Sequence, residues 1–220
     1  MLLQDVRDQL ARYAGKMHES GLVRATQGNL SARDPKSRLI CITPSGADYQ
    51  TLTAEDIAVV DEQGKIVEAK WQPSVETPLH TYILSQRPDV HCVMHTHSLY
   101  ASAFGVVYQP IPMILGESAS CLGGKVPIVP YKTSGSIEFA KQVAATLGNG
   151  SAVIWGNHGA MVVGATLAQA FSIAHALEDT AHIYVIAKQL GNPVTLPTEE
   201  IAKLHTEWQQ NYRQKAREEQ

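Results

Sequence analysis

Two histidines two apart, His95 and His97, close the apolar run Cys-Val-Met-His-Thr-His at residues 92–97. If that run is a strand, successive side chains alternate between faces, so the two imidazoles share one. Two imidazoles held together are expensive to bury without a common partner, and a divalent cation is the usual one. A third histidine, His158, lies in Trp-Gly-Asn-His-Gly, with Gly156 and Gly159 beside it. Glycines there let the backbone approach a site closely. Glu76 stands two residues after Ser74, early in a helix that precedes the His95 strand. Three histidines and a carboxylate form a zinc set, and a catalytic zinc keeps one position open. The plainer alternative is a chance pair of strand-end histidines and a glutamate that complements a helix dipole.

Small polar turns surround these residues. Thr26-Gln-Gly28-Asn29-Leu-Ser31 and Thr43-Pro-Ser45-Gly46 expose backbone N–H groups and hydroxyls that suit a phosphate. Pro73-Ser74-Val75-Glu76 opens a helix, where free N–H groups and the dipole also favour an anion. Each turn alone is an ordinary turn; together they point to a phosphorylated substrate.

The elements that would carry these groups follow from periodicity. Residues 2–20 place Leu3, Val6, Leu10, Tyr13 and Met17 at helical spacing before Gly21. Residues 38–46 predict a strand and tight loop, and residues 57–69 a hairpin around Gln63-Gly64. A helix runs from Pro73-Ser74 until Pro88 ends it. A strand at 91–97, a short helix at 99–105, short strands at 110–114 and 126–131, and a helix at 136–148 come next. Residues 151–164 predict a strand pair broken at Gly156–Gly159, then a long helix from 167 and a charged helix from about 198. Without repeats or linkers, the expectation is a single domain over residues 1–220. It is an α/β fold with a mixed, mainly antiparallel central sheet flanked by helices.

Composition sets the outer bounds. Of 220 residues, 44% are hydrophobic and 18% charged, with a net charge of −3 and no basic block, which argues against nucleic acid. No run reaches the ~18 apolar residues of a membrane span, and the charged N-terminal segment does not resemble a signal peptide. Cys41, Cys92 and Cys121 sit apart in apolar stretches, as free thiols of a reducing cytoplasm would. HExxH, Cys-x-x-Cys, P-loop and GxGxxG patterns are absent. Of the remaining histidines, His175 and His182 are expected to pack or face solvent, and His18, His80, His91 and His205 show no partner in the sequence.

Taken together, Thr26-x-Gly28-Asn29-Leu30-Ser31, Thr43-Pro44-Ser45-Gly46, Ser74-x-Glu76, His95-x-His97 and His158-Gly159 resemble the class II aldolase/adducin family. The spacings are similar to its L-fuculose-1-phosphate aldolase branch, over roughly residues 3–205. The resemblance implies a zinc-dependent aldehyde-lyase that cleaves a ketose 1-phosphate, and a homotetramer with active sites at subunit boundaries. His95, His97 and His158 would hold Zn²⁺, and Glu76 would be the acid/base and a displaceable fourth ligand. Gly28, Asn29, Ser45, Gly46 and Ser74 would cradle the phosphate. Where the family shows a second serine before the glutamate, this chain has Val75. The tyrosine expected before Gly123-Gly124 is missing, and Tyr212 is only an approximate counterpart of a C-terminal tyrosine. The aldehyde half of the substrate is therefore expected to differ from that of fuculose phosphate.

An enediolate stabilised by the metal, as in such an aldol cleavage, would equally serve a 3-oxo-tetronate 4-phosphate decarboxylase, a methylthioribulose 1-phosphate dehydratase or a pentulose-phosphate 4-epimerase. Glu117 is the reserve candidate for the base. A rival chemistry reads Gly116-Glu-Ser118 as a hydrolase elbow, with Ser118, Asp179 and His205 in triad order, although Ser120 replaces the final glycine. A non-catalytic module of the same fold is the third class, disfavoured because all the ligand candidates are present.

Overall fold

The computed structural model describes residues 1–218, with side chains through Asn211. Helix α1 (Gln4–Glu19) turns Leu10, Ala14 and Met17 inward, and leads to strands β1 (Asn29–Arg33), β2 (Ile40–Ile42), β3 (Ala58–Val60) and β4 (Ile66–Glu68). Then follow α2 (Thr77–Gln86), β5 (Cys92–Thr96), α3 (Leu99–Val106), α4 (Gly116–Leu122), β6 (Ile128–Val129) and α5 (Ile137–Leu147). The chain continues through β7 (Ala152–Trp155), β8 (Ala160–Gly164), α6 (Leu167–Leu190) and α7 (Thr198–Glu218).

The strands form one sheet in the order β4-β3-β2-β1-β5-β8-β7-β6. Every adjacent pair is antiparallel except β6 with β7. The mainly antiparallel α/β fold expected from the sequence is therefore observed. Helices cover both faces. Leu79, Ile83 and Leu84 of α2 and Phe139, Ala140 and Val143 of α5 pack on Val93, Val153, Met161 and Val163. On the opposite face α1, α3, α4 and α6 pack on Leu30, Met94, Ile154 and Val162. With both faces covered, the central strands are buried along their whole length, which is why Cys92–Thr96 reads as a continuous run rather than an alternation.

Local chemistry sets the ends of the helices. Ser136 accepts from the Phe139 N–H at the start of α5, and Thr166 accepts from the Gln169 N–H at the start of α6. The start of α3 is closed from outside, by Glu178 of α6, whose two carboxylate oxygens accept from the N–H groups of Tyr100 and Ala101, each at 2.9 Å.

Two expectations need correction, and one segment left unassigned from the sequence gains an element. Residues 110–114 form no strand; they contribute one isolated bridge, Ile111 to Val126. The turn-rich 25–34 segment becomes β1 from Asn29 onward, because Ser31 and Ala32 pair on both sides, with β2 and β5. Residues 116–122 form a helix, α4, packed between α6 and α7.

A candidate metal centre at the middle of the sheet

Antiparallel register places Asn29 of β1 and Met161 of β8 on either side of His95. His95 shares its face with Val93, towards α2 and α5, and is 1% exposed. His97 follows the end of β5 and turns back over the same face. Its Nε2 lies 3.0 Å from the Nε2 of His95, and the Nε2 of His158 lies 3.3 Å from the same atom. The three ligand atoms all fall within 4.8 Å of one another. His158 reaches in from the β7–β8 turn, where Asn157 adopts a left-handed φ of 54°. Gly159 is required there: a Cβ would stand 2.3 Å from the Thr96 carbonyl oxygen.

The donor set fits a metal ion. Nδ1–H of His95 donates to the Ala160 carbonyl at 2.9 Å, which leaves the Nε2 lone pair pointing at the other histidines. Burial pushes His95 down to about 3, reinforced by His158 and only partly opposed by that hydrogen bond. Burial and the His95 and His158 rings also push His97 down to about 3. His158 is lowered too, by burial, against the pull of Glu76. All three are therefore neutral imidazoles at neutral pH, the form that coordinates a cation. Trp155 stacks on His95, with ring centroids 4.2 Å apart.

Glu76 is the fourth member, and it is 4% exposed. Its Oε2 is 3.7 Å from the His95 Nε2 and its Oε1 3.9 Å from the His158 Nε2. It precedes the first residue of α2 rather than lying inside the helix, because α2 starts at Thr77 and not at Pro73-Ser74 as the sequence suggested. That placement fixes it: its N–H donates to the Ser74 Oγ at 3.2 Å, and its carbonyl accepts from the N–H groups of Leu79 and His80.

Of the phosphate candidates, Ser45, Gly46 and Ser74 are brought together. A bridge between Pro44 and Pro73 aligns their loops, with Ser45 N–H donating to the Gln72 carbonyl and Ser74 N–H to the Thr43 carbonyl. Gly46 has φ 69° and open space around it, and a cavity of about 500 Å³ lined by Ser45, Gly46, Asp48 and Trp71 opens beside the loop. Gly28, at φ 76°, passes so close to β5 that a Cβ would lie 2.6 Å from the His95 carbonyl oxygen. Asn29 differs from the others. Its amide is engaged at both ends, donating to Glu76 Oε2 at 2.9 Å and facing the His80 Nε2 at 2.5 Å. Val75 points outward and is 65% exposed.

His80 was not legible as part of this site. It is fully buried and bonded to Ser31 as well as to Asn29. The hydrolase constellation is not assembled. Ser118 sits inside α4, buried, with its Oγ facing the Ala176 carbonyl, while the His205 Nδ1 binds the Ser120 carbonyl and Asp179 is exposed. Glu117 is exposed in the first turn of α4. The Tyr212 side chain lies outside the described residues. His182 stacks on Tyr100 and His175 packs edge-on to Phe171, the packing roles expected of them.

The sequence profile described as the class II aldolase and adducin N-terminal domain matches residues 8–185. Two curated relatives cover most of the chain. A 5-deoxy-D-ribulose 1-phosphate aldolase of Bacillus thuringiensis serovar kurstaki is 31% identical over 93% of this chain and 95% of its own. An L-fuculose phosphate aldolase of Escherichia coli O6:H1 is 36% identical over 85% of this chain and 86% of its own. Among solved structures, an L-fuculose 1-phosphate aldolase superposes with a TM-score of 0.91 at 34% identity, covering 95% of this chain and 98% of that one. With a family profile over most of its length and a cluster of three histidines at the end of β5 and the β7–β8 turn, the chain belongs to the class II aldolase and adducin family, among its metal-dependent lyases.

Proposed function

We propose that the protein is a zinc-dependent aldolase that cleaves a ketose 1-phosphate to dihydroxyacetone phosphate and an aldehyde, the whole chain acting as one domain. One observation carries the reading: three neutral imidazoles converge beside a buried carboxylate, next to turns suited to a phosphate. His95, His97 and His158 would hold Zn²⁺, with Glu76 as a displaceable fourth ligand. The bound ion would act as a Lewis acid on the ketose carbonyl and the adjoining hydroxyl. Ser45, Gly46, Ser74 and the backbone at Gly28 and Asn29 would orient the phosphate. As the C3–C4 bond breaks, water would take the proton of the C4 hydroxyl to give the aldehyde, and Glu76, protonated from solvent, would deliver one proton to C3 of the three-carbon fragment. No lysine is needed as a Schiff base.

A homotetramer is part of the proposal. Exposed Tyr108 and Tyr131 lie beside the β7–β8 turn: the Tyr108 ring lies against Gly156 and its hydroxyl accepts from the Tyr131 N–H. An apolar rim at the mouth of a site is suited to a second subunit. The buried, proton-holding thiols of Cys41, Cys92 and Cys121 fit a reducing cytoplasm.

The test is a panel of ketose 1-phosphates, led by 5-deoxyribulose 1-phosphate and L-fuculose 1-phosphate, with a coupled assay for dihydroxyacetone phosphate. Product should appear, vanish with a chelator and return with Zn²⁺. Carbon dioxide, water loss or C4 inversion without dihydroxyacetone phosphate would instead select the decarboxylase, dehydratase or epimerase reaction.

A further inference from the structure

A 0%-exposed histidine four residues after Glu76 is not a ligand and does not reach the metal cluster. The imidazole of His80 instead lies between Ser31 Oγ, 2.7 Å from Nδ1, and Asn29 Oδ1, 2.5 Å from Nε2. The proton positions follow by elimination. A carboxylate only accepts, so Asn29 must present its NH₂ to Glu76 Oε2, at 2.9 Å. That turns Oδ1 towards His80, which must then donate through Nε2–H. The lone pair on Nδ1 is left to accept from the Ser31 hydroxyl. Each donor in the chain Ser31, His80, Asn29, Glu76 meets one acceptor.

We infer that His80 is a positioning residue: it fixes the Asn29 amide in one orientation, and through it aims the Glu76 carboxylate at the metal centre. The inference rests on the proposed role of Glu76. Helix geometry explains the spacing, because side chains at i and i+4 stack on one face and a helical side chain leans towards the N-terminus. Strand geometry supplies the other half, because Asn29 and Ser31 are two apart on β1 and share a face. Burial pushes His80 down to about 3, so the ring stays neutral and keeps one donor and one acceptor. Ser31, at the far end, is itself 0% exposed. The chain therefore ends inside the protein and holds a carboxylate rather than conducting protons to solvent. A histidine that merely filled core volume would need none of this order.

The experiment compares three replacements of His80 in the zinc-loaded protein. His80→Leu removes both polar atoms. His80→Asn can replace Nδ1 towards Ser31 but stops short of Asn29, whereas His80→Gln extends an amide N–H to about the position of Nε2. Zinc content should stay at the wild-type value in all three. The Leu and Asn variants should lose about 10- to 100-fold in kcat with KM unchanged, and the Gln variant should recover most of it. In a Glu76→Gln background, the Leu and Asn substitutions should cost nothing further, because the group they aim is gone. Crystal structures of the Asn and Leu variants should show the Asn29 amide and the Glu76 carboxylate turned away, with the three metal-binding imidazoles in place. Equal activity of the Asn and Gln variants, additive losses in the Glu76→Gln background, or an undisturbed Glu76 in the crystals would each overturn the inference. The crystallographic comparison needs no substrate. If Glu76→Gln alone retained full turnover, the acid/base role would fall and that comparison would still decide whether His80 holds Glu76.

Discussion

Trp155 lies flat against His95: the two rings are 19° from parallel with centroids 4.2 Å apart, and the indole is fully buried. The Ala160 carbonyl holds the His95 ring through Nδ1, and the indole holds it face-on, so the ligand nitrogen has little freedom left. Truncation by Trp155→Ala should cost about 3–5 kcal/mol of folding stability, as other large aromatic deletions in cores do. It should also weaken metal binding, since the imidazole would have to be ordered on binding. Chemical denaturation and a competitive zinc titration measure the two effects separately.

Metal binding and proton transfer should separate by mutation. Glu76→Gln keeps the size and the acceptor oxygen but cannot carry a proton, so turnover should fall by roughly 10²–10⁴ with zinc retained. His95→Ala removes a ligand outright and should lose metal and activity together. Metal analysis beside steady-state rates distinguishes the two; full cleavage by zinc-loaded Glu76→Gln would move the search for a base to Glu117.

Acid should destabilise the protein through its buried histidines. The folded state keeps His80 neutral down to about 3, by burial and the neighbouring His95 against the pull of Glu76, while the unfolded chain protonates near the ordinary value of 6.5. Between those two pH values the unfolded state binds more protons, so stability falls as pH drops through the window and levels off above it. Melting temperatures of metal-free protein from pH 7 to 4 should show this slope. It should be shallower in His80→Leu, with His95 and His97 supplying what remains.

Glu178 should matter to the site although it lies on a distant helix. It closes the start of α3, two residues beyond His97, with two charge-assisted bonds. Glu178→Ala should cost about 1–3 kcal/mol and lower zinc affinity by loosening the His97 turn. Glu178→Gln, which keeps one acceptor, should fall between. Urea denaturation and the same zinc titration read both.

Gly159→Ala is the sharpest steric test. The added methyl would meet the Thr96 carbonyl oxygen at 2.3 Å and His95 Cε1 at 3.1 Å, so β8 must move from β5 or the imidazole must shift. Loss of metal from a protein with an otherwise native circular dichroism spectrum is the expected outcome.

Some of this was legible in the sequence, for physical reasons. His95 and His97 announce themselves by strand alternation, and His158 by the glycines that let two strands touch. Helix α1 follows from its periodicity, α5 from its periodicity and the Ser136 cap, and α6 from its long run that is apolar on more than one side. Short-range patterns carry no information about partners far along the chain, and that is where the reading failed. His80 meets Ser31 and Asn29 across 49 and 51 residues, so it looked unpartnered. Helix α4 has seven residues, too few to show a period, and it is held by packing against α6 and α7. The turn around Asn29 likewise gave no sign that its side chain reaches Glu76 and His80, 47 and 51 residues away.

The assembly of the candidate metal centre from β5 and the β7–β8 turn has a consequence for biogenesis. His95 lies on β5, His97 just beyond its end and His158 in the β7–β8 turn, and His158 joins His95 only once segments 65 residues apart have met through contacts such as His95 Nδ1 to the Ala160 carbonyl. Until β8 has paired with β5, nothing holds His158 against His95 and His97, even when all three imidazoles have been made. Ion capture would thus wait for the long-range pairing of β5 with β8, and a filled centre would report that the middle of the sheet has closed.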